Sequence, residues 1–128
     1  MEEKKRILVV DDNAPFVDLA RDIFSADYSV DTASDGMIGL EKAMETLPDL
    51  ILLDVNMPGM TGIEFARKLA ACRETAAIPI IVITASDYNS LTQSLLQKEN
   101  NVKVFMTKLS PVETIKEKAL DVLNKKIL

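Results

Sequence analysis

The sequence predicts an α/β domain built on a doubly wound, five-stranded parallel sheet of strand order 2-1-3-4-5, with helices on both faces. Short apolar segments recur along the chain, and three of them are continuous, as expected for strands buried on both faces. Amphipathic patterns of helical period lie between these segments. Strands that alternate with helices in this way favour parallel pairing through right-handed crossovers. The chain has 128 residues, the size of one domain, and we expect residues 1–128 to form it.

The strands are predicted from apolar runs that end in polar residues. Ile7–Val10, Leu50–Leu53 and Ile80–Ile83 are continuous, so we place these three at the centre of the sheet. Tyr28–Ala33 and Val102–Met106 mix apolar with polar positions, which is typical of less completely covered edge strands. Central placement of the continuous runs gives the strand order stated above.

The helices are predicted from apolar spacing and from start signals. The first two helices each show one apolar face, formed by Phe16, Ala20, Ile23 and Phe24 and by Leu40, Ala43, Met44 and Leu47. Thr61–Glu64 and Ser110–Glu113 fit capping boxes that begin the third and last helices. A fourth helix is predicted only around Asp87–Lys98, where three leucines offer an apolar face.

The composition of the chain argues against several classes of function. The formal net charge is -5 and the pI about 4.7, so direct binding to nucleic acid or to an anionic membrane is disfavoured. No apolar run approaches the roughly 18 residues of a membrane span. The chain has no histidine, which removes His-based catalysis and His-ligated zinc. Its one cysteine, Cys72, cannot form an intrachain disulfide, and we expect a protein of the reducing cytoplasm.

Acidic residues follow two of the central strands. Asp11 and Asp12 come directly after Val10, and Asp54 comes directly after Leu53. In a sheet of this order, ligands bind beyond the carboxyl ends of the strands, near the point where strand order reverses. Two carboxylates about 4 Å apart repel by about 4 kcal/mol at an effective dielectric near 20. A hard divalent cation such as Mg²⁺, which prefers oxygen ligands, would relieve this repulsion.

The other two strand ends supply complementary groups. Thr84 offers a hydroxyl after Ile83, and Lys108 offers an ammonium two residues past Met106. Together they can hold the oxygens of a phosphoryl group, with Asp54 as the nucleophile toward phosphorus. Each residue alone has an ordinary structural explanation, such as a helix cap or a solvated charge. Because four strands deliver these groups to one edge of the sheet, their combination favours a site.

These same residues carry a family resemblance. Asp11–Asp12, the stretch Asp54–Gly62 (DVNMPGMTG), Thr84–Ala85 and Lys108 are each found after the expected strand. On these motifs the chain resembles, over essentially its full length, the receiver domains of two-component response regulators, whose fold is flavodoxin-like. The Asp54–Gly62 stretch is the most diagnostic of them.

The resemblance implies roles for individual residues. Asp54 would accept a phosphoryl group from the phosphohistidine of a sensor histidine kinase or phosphotransfer protein. Asp12, Asp54 and the Asn56 carbonyl would bind Mg²⁺, with Asp11 acting through water. Thr84 and Lys108 would contact the phosphoryl oxygens.

The resemblance also implies how the signal leaves the site. Thr84 and Phe105 would form the switch, with a phosphorylation-dependent dimer as one candidate output. Such a domain assists its own phosphorylation and dephosphorylation and is not an enzyme acting on other molecules.

Two departures from the family pattern concern the last strand. Lys108 is followed by Leu109 where the family usually has proline, and Asn100–Asn101 replaces the usual Gly-Ala. Because a cis bond costs about 2.5–4 kcal/mol before a residue other than proline, we predict a trans Lys108–Leu109 bond and a less firmly placed ammonium. The output face near the fourth helix is predicted to be remodelled.

Three other functions use a similar sheet or similar residues. A metal-dependent phosphatase with an aspartate nucleophile usually carries Asp-x-Asp after the first strand, a spacing that Asp11–Asp12–Asn13 lacks. A flavodoxin-like cofactor carrier would need a hydroxyl- and glycine-rich phosphate loop. A degenerate receiver would act only as a binding module; Thr84 and Lys108 argue against it, although Leu109 leaves it open.

Overall fold

A computed structural model describes residues 4–57, 59–85 and 90–124. Its five strands pair in parallel in the order β2-β1-β3-β4-β5, which confirms the predicted topology. The strands are β1 (Arg6–Val10), β2 (Ser29–Ala33), β3 (Leu50–Leu53), β4 (Ile80–Thr84) and β5 (Val102–Thr107). The helices are α1 (Ala14–Phe24), α2 (Gly36–Thr46), α3 (Gly62–Ala71), α4 (Ser90–Gln97) and α5 (Val112–Leu123).

Side chains of the central strands alternate between two apolar clusters. Leu8 and Val10 face the cluster that includes residues of α2, α3 and α4, whereas Ile7 and Val9 face the cluster that includes α1 and α5. Because both faces of β3 are covered in this way, all four of its residues are buried. Among the helices of the described segments, none combines the length and apolar character needed to cross a membrane.

The buried face of α2 differs from the predicted one. Leu40 and Ala43 are buried, but Met44 is 50% exposed and Leu47 is 48% exposed. The glycines of α2 explain the difference, because a Cβ added at Gly36 would lie only 2.8 Å from the Cβ of Met60. The helix therefore packs closely along its glycine side, and Met44 is left on the flank.

The two predicted capping boxes have different outcomes. Thr61 caps α3, since the Glu64 N–H donates to its hydroxyl at 3.1 Å, as predicted. The box at Ser110 is wrong, because α5 begins at Val112 with Pro111 at the cap position and no side-chain cap. The Ser110 N–H instead donates to the Thr107 carbonyl at 3.1 Å, so Ser110 belongs to the turn after β5.

The region just before β5 contains the predicted fourth helix and Asn101, one of the two asparagines that depart from the family pattern. α4 begins at Ser90 and buries Leu96, while the predicted start at Asp87 lies outside the described residues. Asn101 is 4% exposed, and its side-chain amide donates to the Ala66 carbonyl of α3 at 2.9 Å. Its backbone carbonyl accepts from the Ile80 N–H at 2.7 Å. The start of β5 is thus tied to both α3 and β4.

Candidate functional site

Three aspartates meet at the carboxyl ends of β1 and β3. The two strands pair in register up to Val10 and Leu53, and the Asp54 N–H donates to the Val10 carbonyl at 3.0 Å. Asp11 and Asp54 are 2% and 5% exposed, whereas Asp12 is exposed. One carboxylate oxygen from each of the three aspartates lies within 4.8 Å of the others. The predicted acidic cluster therefore forms, with two members shielded from water.

Lys108 reaches this cluster from the end of β5. Its backbone N–H donates to the Thr84 carbonyl at 2.7 Å. Its Nζ lies 2.9 Å from Asp11 Oδ2 and 3.4 Å from Asp54 Oδ2. The described part of the chain contains no cis peptide bond, so the trans Lys108–Leu109 bond is confirmed. The ammonium nevertheless bridges both buried carboxylates, while the Leu109 side chain is 79% exposed.

Thr84 and Asn56 complete the contacts of Asp54. Thr84 is the last residue of β4 and is fully buried. Its hydroxyl donates to Asp54 Oδ1 at 3.2 Å and accepts from the Asn56 side-chain amide at 3.2 Å. The Asn56 N–H also donates to Asp54 Oδ1, at 3.1 Å. One oxygen of Asp54 therefore faces these neutral groups, and the other faces the ammonium.

Burial and charge shift the titration of two groups in the pocket. Burial raises the pKa of Asp11, and the nearby Asp54 adds to the shift, while hydrogen bonds from Lys108 and Asn13 oppose it. Burial alone would lower the pKa of Lys108, but Asp11 and Asp54 outweigh it and raise that pKa. Asp11 therefore bears a cost when it ionises, and Lys108 stays charged.

The residues of the pocket fit a divalent cation. Asp11 Oδ2 is buried and, despite the nearby ammonium, accepts no well-aligned hydrogen bond. Three carboxylates face one ammonium, so the pocket carries excess negative charge. All its available ligands are oxygens, the type that Mg²⁺ prefers. An oxygen-binding cation would offset this excess charge.

Phe16 contacts the site, whereas Phe105 packs in the apolar core beside β4. The Lys108 ammonium sits 5.0 Å from the centre of the Phe16 ring, within the range of a cation–π contact. Helical spacing in the sequence predicts only that Phe16 belongs to the apolar face of the first helix. Its position in the first turn after Asp11 is the only sequence signal of this contact. Phe105 pairs in register with Val82 and packs against the apolar cluster that includes residues of α2, α3 and α4. Because side chains alternate between the two faces of a strand, Thr84, two residues after Val82, lies on the same face of the sheet.

Comparisons of the sequence and of the structure with known proteins agree on one protein family. A sequence model of the response regulator receiver domain matches residues 7–120. PilH of Pseudomonas aeruginosa is 32% identical over 111 residues, which cover 86% of this chain and 90% of PilH. The response regulator PleD of Caulobacter vibrioides is 49% identical over 83 residues, 64% of this chain, and the match spans only 18% of PleD. A CheY-like receiver domain from Methanospirillum hungatei shares the fold, with a TM-score of 0.88 over 97% of each chain at 24% identity.

Proposed function

Because this chain belongs to the response regulator receiver domain family, we propose that it is a phosphoacceptor of two-component signalling and that Asp54 takes the phosphoryl group. The observation that carries the proposal is the surroundings of Asp54. Its carboxylate is 5% exposed, with Lys108 Nζ at 3.4 Å from one oxygen and the Thr84 hydroxyl at 3.2 Å from the other. We further propose that residues 1–128 form one receiver domain and that it works in the cytoplasm.

The proposed reaction is a nucleophilic displacement at phosphorus. An ionised oxygen of Asp54 attacks the phosphorus of a phosphohistidine on a sensor histidine kinase or phosphotransfer protein. The new O–P bond forms as the N–P bond breaks, and the electron pair returns to the donor's imidazole nitrogen. Lys108 and Thr84 donate to the phosphoryl oxygens, which become more negative during the transfer. The domain thereby assists its own phosphorylation and does not act on other molecules.

Mg²⁺ would be held by the carboxylates of Asp12 and Asp54 and by the Asn56 carbonyl, with Asp11 acting through a bound water. When bound, it would neutralise charge on the phosphoryl oxygens and shield Asp54 from its acidic neighbours. Asp11 and Asp54 are presented by adjacent strand ends, so the chain brings these two carboxylates together before any cation arrives. Until a cation binds, the Lys108 ammonium offsets part of the negative charge of Asp11 and Asp54.

Output is proposed to pass through Thr84 and Phe105. Phosphorylation draws the Thr84 hydroxyl and Lys108 toward the added oxygens, and Phe105 follows into the space behind Thr84. Moving such an equilibrium from 1:99 to 99:1 requires about 5.5 kcal/mol of differential interaction. A change of the surface near β5 would then alter contact with an effector or favour a dimer.

Phosphorylation with acetyl phosphate and Mg²⁺ tests the assignment. Intact-mass measurement of the wild-type chain should show one added phosphate, and Asp54→Asn should show none. Asp22→Asn, which changes an exposed aspartate of α1, is the matched control and should be labelled like the wild type. A label that persists in Asp54→Asn would overturn the assignment. A folded wild-type chain that takes no phosphate would favour the binding-module alternative.

A further inference from the structure

Large apolar side chains are exposed along α2 and at its C-terminal cap. Met37 is 61% exposed, Met44 is 50% exposed and Leu47 is 48% exposed. Met37 and Met44 are seven residues apart, which places them about two turns apart on the same side of the helix. The phosphotransfer proposed above uses none of these three residues.

The contacts of α2 show that the side of the helix bearing Met37 and Met44 faces α3. Lys42 lies on the opposite flank, and its ammonium donates to the Thr32 carbonyl of β2. Met37 lines a groove between α2 and α3, together with Met60 and Lys68, and this groove has a volume of about 590 Å³. Met44 continues along the same flank of α2. Met44 and Leu47 do not line this groove but extend the exposed apolar surface beyond it along α2, and we refer to the groove together with these two residues as the α2–α3 groove.

Leucine at position 47 contributes little to the stability of the fold. Leu47 ends α2 with φ of 47°, in the left-handed region. Glycine and asparagine adopt that conformation at lower cost than a leucine does. A half-exposed leucine in an unfavourable conformation suggests a use outside the folded core. Exposed methionines beside it suit contact with a partner, because their flexible thioethers adapt to varied apolar surfaces.

Charge around the α2–α3 groove indicates what would occupy it. Asp35 and Glu64 line it at one end, and Glu41 and Glu45 are exposed along the outer side of α2. Lys68 also lines the groove, but acidic groups predominate. We propose that the groove docks an amphipathic helix of a partner protein, with apolar side chains against the flank of α2 and basic side chains toward the acidic rim. An anionic membrane or a second copy of this acidic chain would bring like charges to the same rim.

Binding of two synthetic helices tests the proposal on the whole chain. One labelled peptide has leucines on one face and lysines on the other, and the second carries glutamates in place of the lysines. Fluorescence anisotropy should show the Leu/Lys peptide binding at least about tenfold more tightly than the Leu/Glu peptide. In a chain labelled with ¹³C-methyl methionine, the peptide should shift the signals of Met37, Met44 and Met60.

Variants separate docking from folding. The double variant Met37→Gln/Met44→Gln should weaken binding of the Leu/Lys peptide at least about tenfold. Leu47→Asn should also weaken it while leaving the thermal midpoint equal or higher, a combination that loss of folding cannot produce. Ile38→Gln is the matched control, because Ile38 is 37% exposed on the other flank of α2, and binding should stay within about twofold.

Three results would overturn the proposal. The first is equal affinity for the two peptides, and the second is equal loss of binding in Ile38→Gln and in the double methionine variant. The third is self-association of the wild-type chain in sedimentation that the methionine variant abolishes, because the occupant would then be a second copy.

Discussion

Replacing Asp11 with asparagine tests whether the acidic pocket destabilises the metal-free fold. Burial raises the pKa of Asp11, and Asp54 adds to the shift. A carboxyl whose folded pKa exceeds its unfolded value of about 3.9 contributes stability at low pH that is lost as pH rises through the folded pKa. In EDTA, the wild-type chain should therefore lose stability above about pH 4 relative to Asp11→Asn, and the two should converge below that pH.

The size of the effect follows from the distances in the pocket. Two carboxylate oxygens that lie within 4.8 Å of each other repel by at least about 3.5 kcal/mol at an effective dielectric near 20. Lys108 offsets part of this repulsion, and the substitution removes its closer charged partner, Asp11 Oδ2 at 2.9 Å, while Asp54 Oδ2 at 3.4 Å remains available to it. We expect Asp11→Asn to be more stable than the wild type by about 1–2 kcal/mol at neutral pH, since burial of the ionised carboxylate is also relieved.

Urea denaturation in EDTA at several pH values measures this difference. Asp12→Asn is the control, and its effect should be smaller because Asp12 is exposed. Saturating Mg²⁺ should reverse the order: a cation at a hundredfold its Kd stabilises a fold by about 2.7 kcal/mol, and the variant binds it more weakly. An Asp11→Asn chain less stable than the wild type in EDTA at neutral pH would refute the reasoning, as would a difference independent of pH.

Three further predictions concern the surroundings of the site. Asn56→Met should slow loss of phosphate from Asp54 several-fold, because a bulky side chain shields the phosphorus from water; an unchanged rate of phosphate release would contradict this. Gly36→Ala should cost about 1–3 kcal/mol of unfolding free energy, since its Cβ would lie 2.8 Å from that of Met60, and an equal loss in a Met60→Gly background, where that Cβ is removed, would point to another cause. Beryllofluoride, a phosphoryl mimic, should shift the NMR signals of the Phe105 ring, and changes confined to the Asp54 loop would exclude coupling to the switch.

The sheet and the acidic pocket could be predicted from sequence because both depend on local patterns. Unbroken apolar strands identify the centre of the sheet, and parallel strands bring their polar ends to one edge. The exposure of Met44 was not predictable, since it depends on how closely the glycines of α2 let that helix pack. Ser110 matched a capping pattern, but a turn closed by the Thr107 carbonyl uses it instead. The contact of Lys108 with Phe16 joins residues far apart in sequence, which helical spacing does not reveal.

The hydroxyl of Thr84 carries a single proton, and this has a consequence for how the site responds. That proton is shared with Asp54 Oδ1 at 3.2 Å, while the Asn56 amide occupies a lone pair of the same oxygen. A hydroxyl donates one hydrogen bond at a time, so any acceptor placed on Asp54 must compete with the carboxylate for it. Because one proton cannot form two full hydrogen bonds, the two bonding patterns compete. The Thr84 hydroxyl therefore favours one of two hydrogen-bonding patterns. The pattern that it favours depends on which oxygen at Asp54 attracts its proton more strongly.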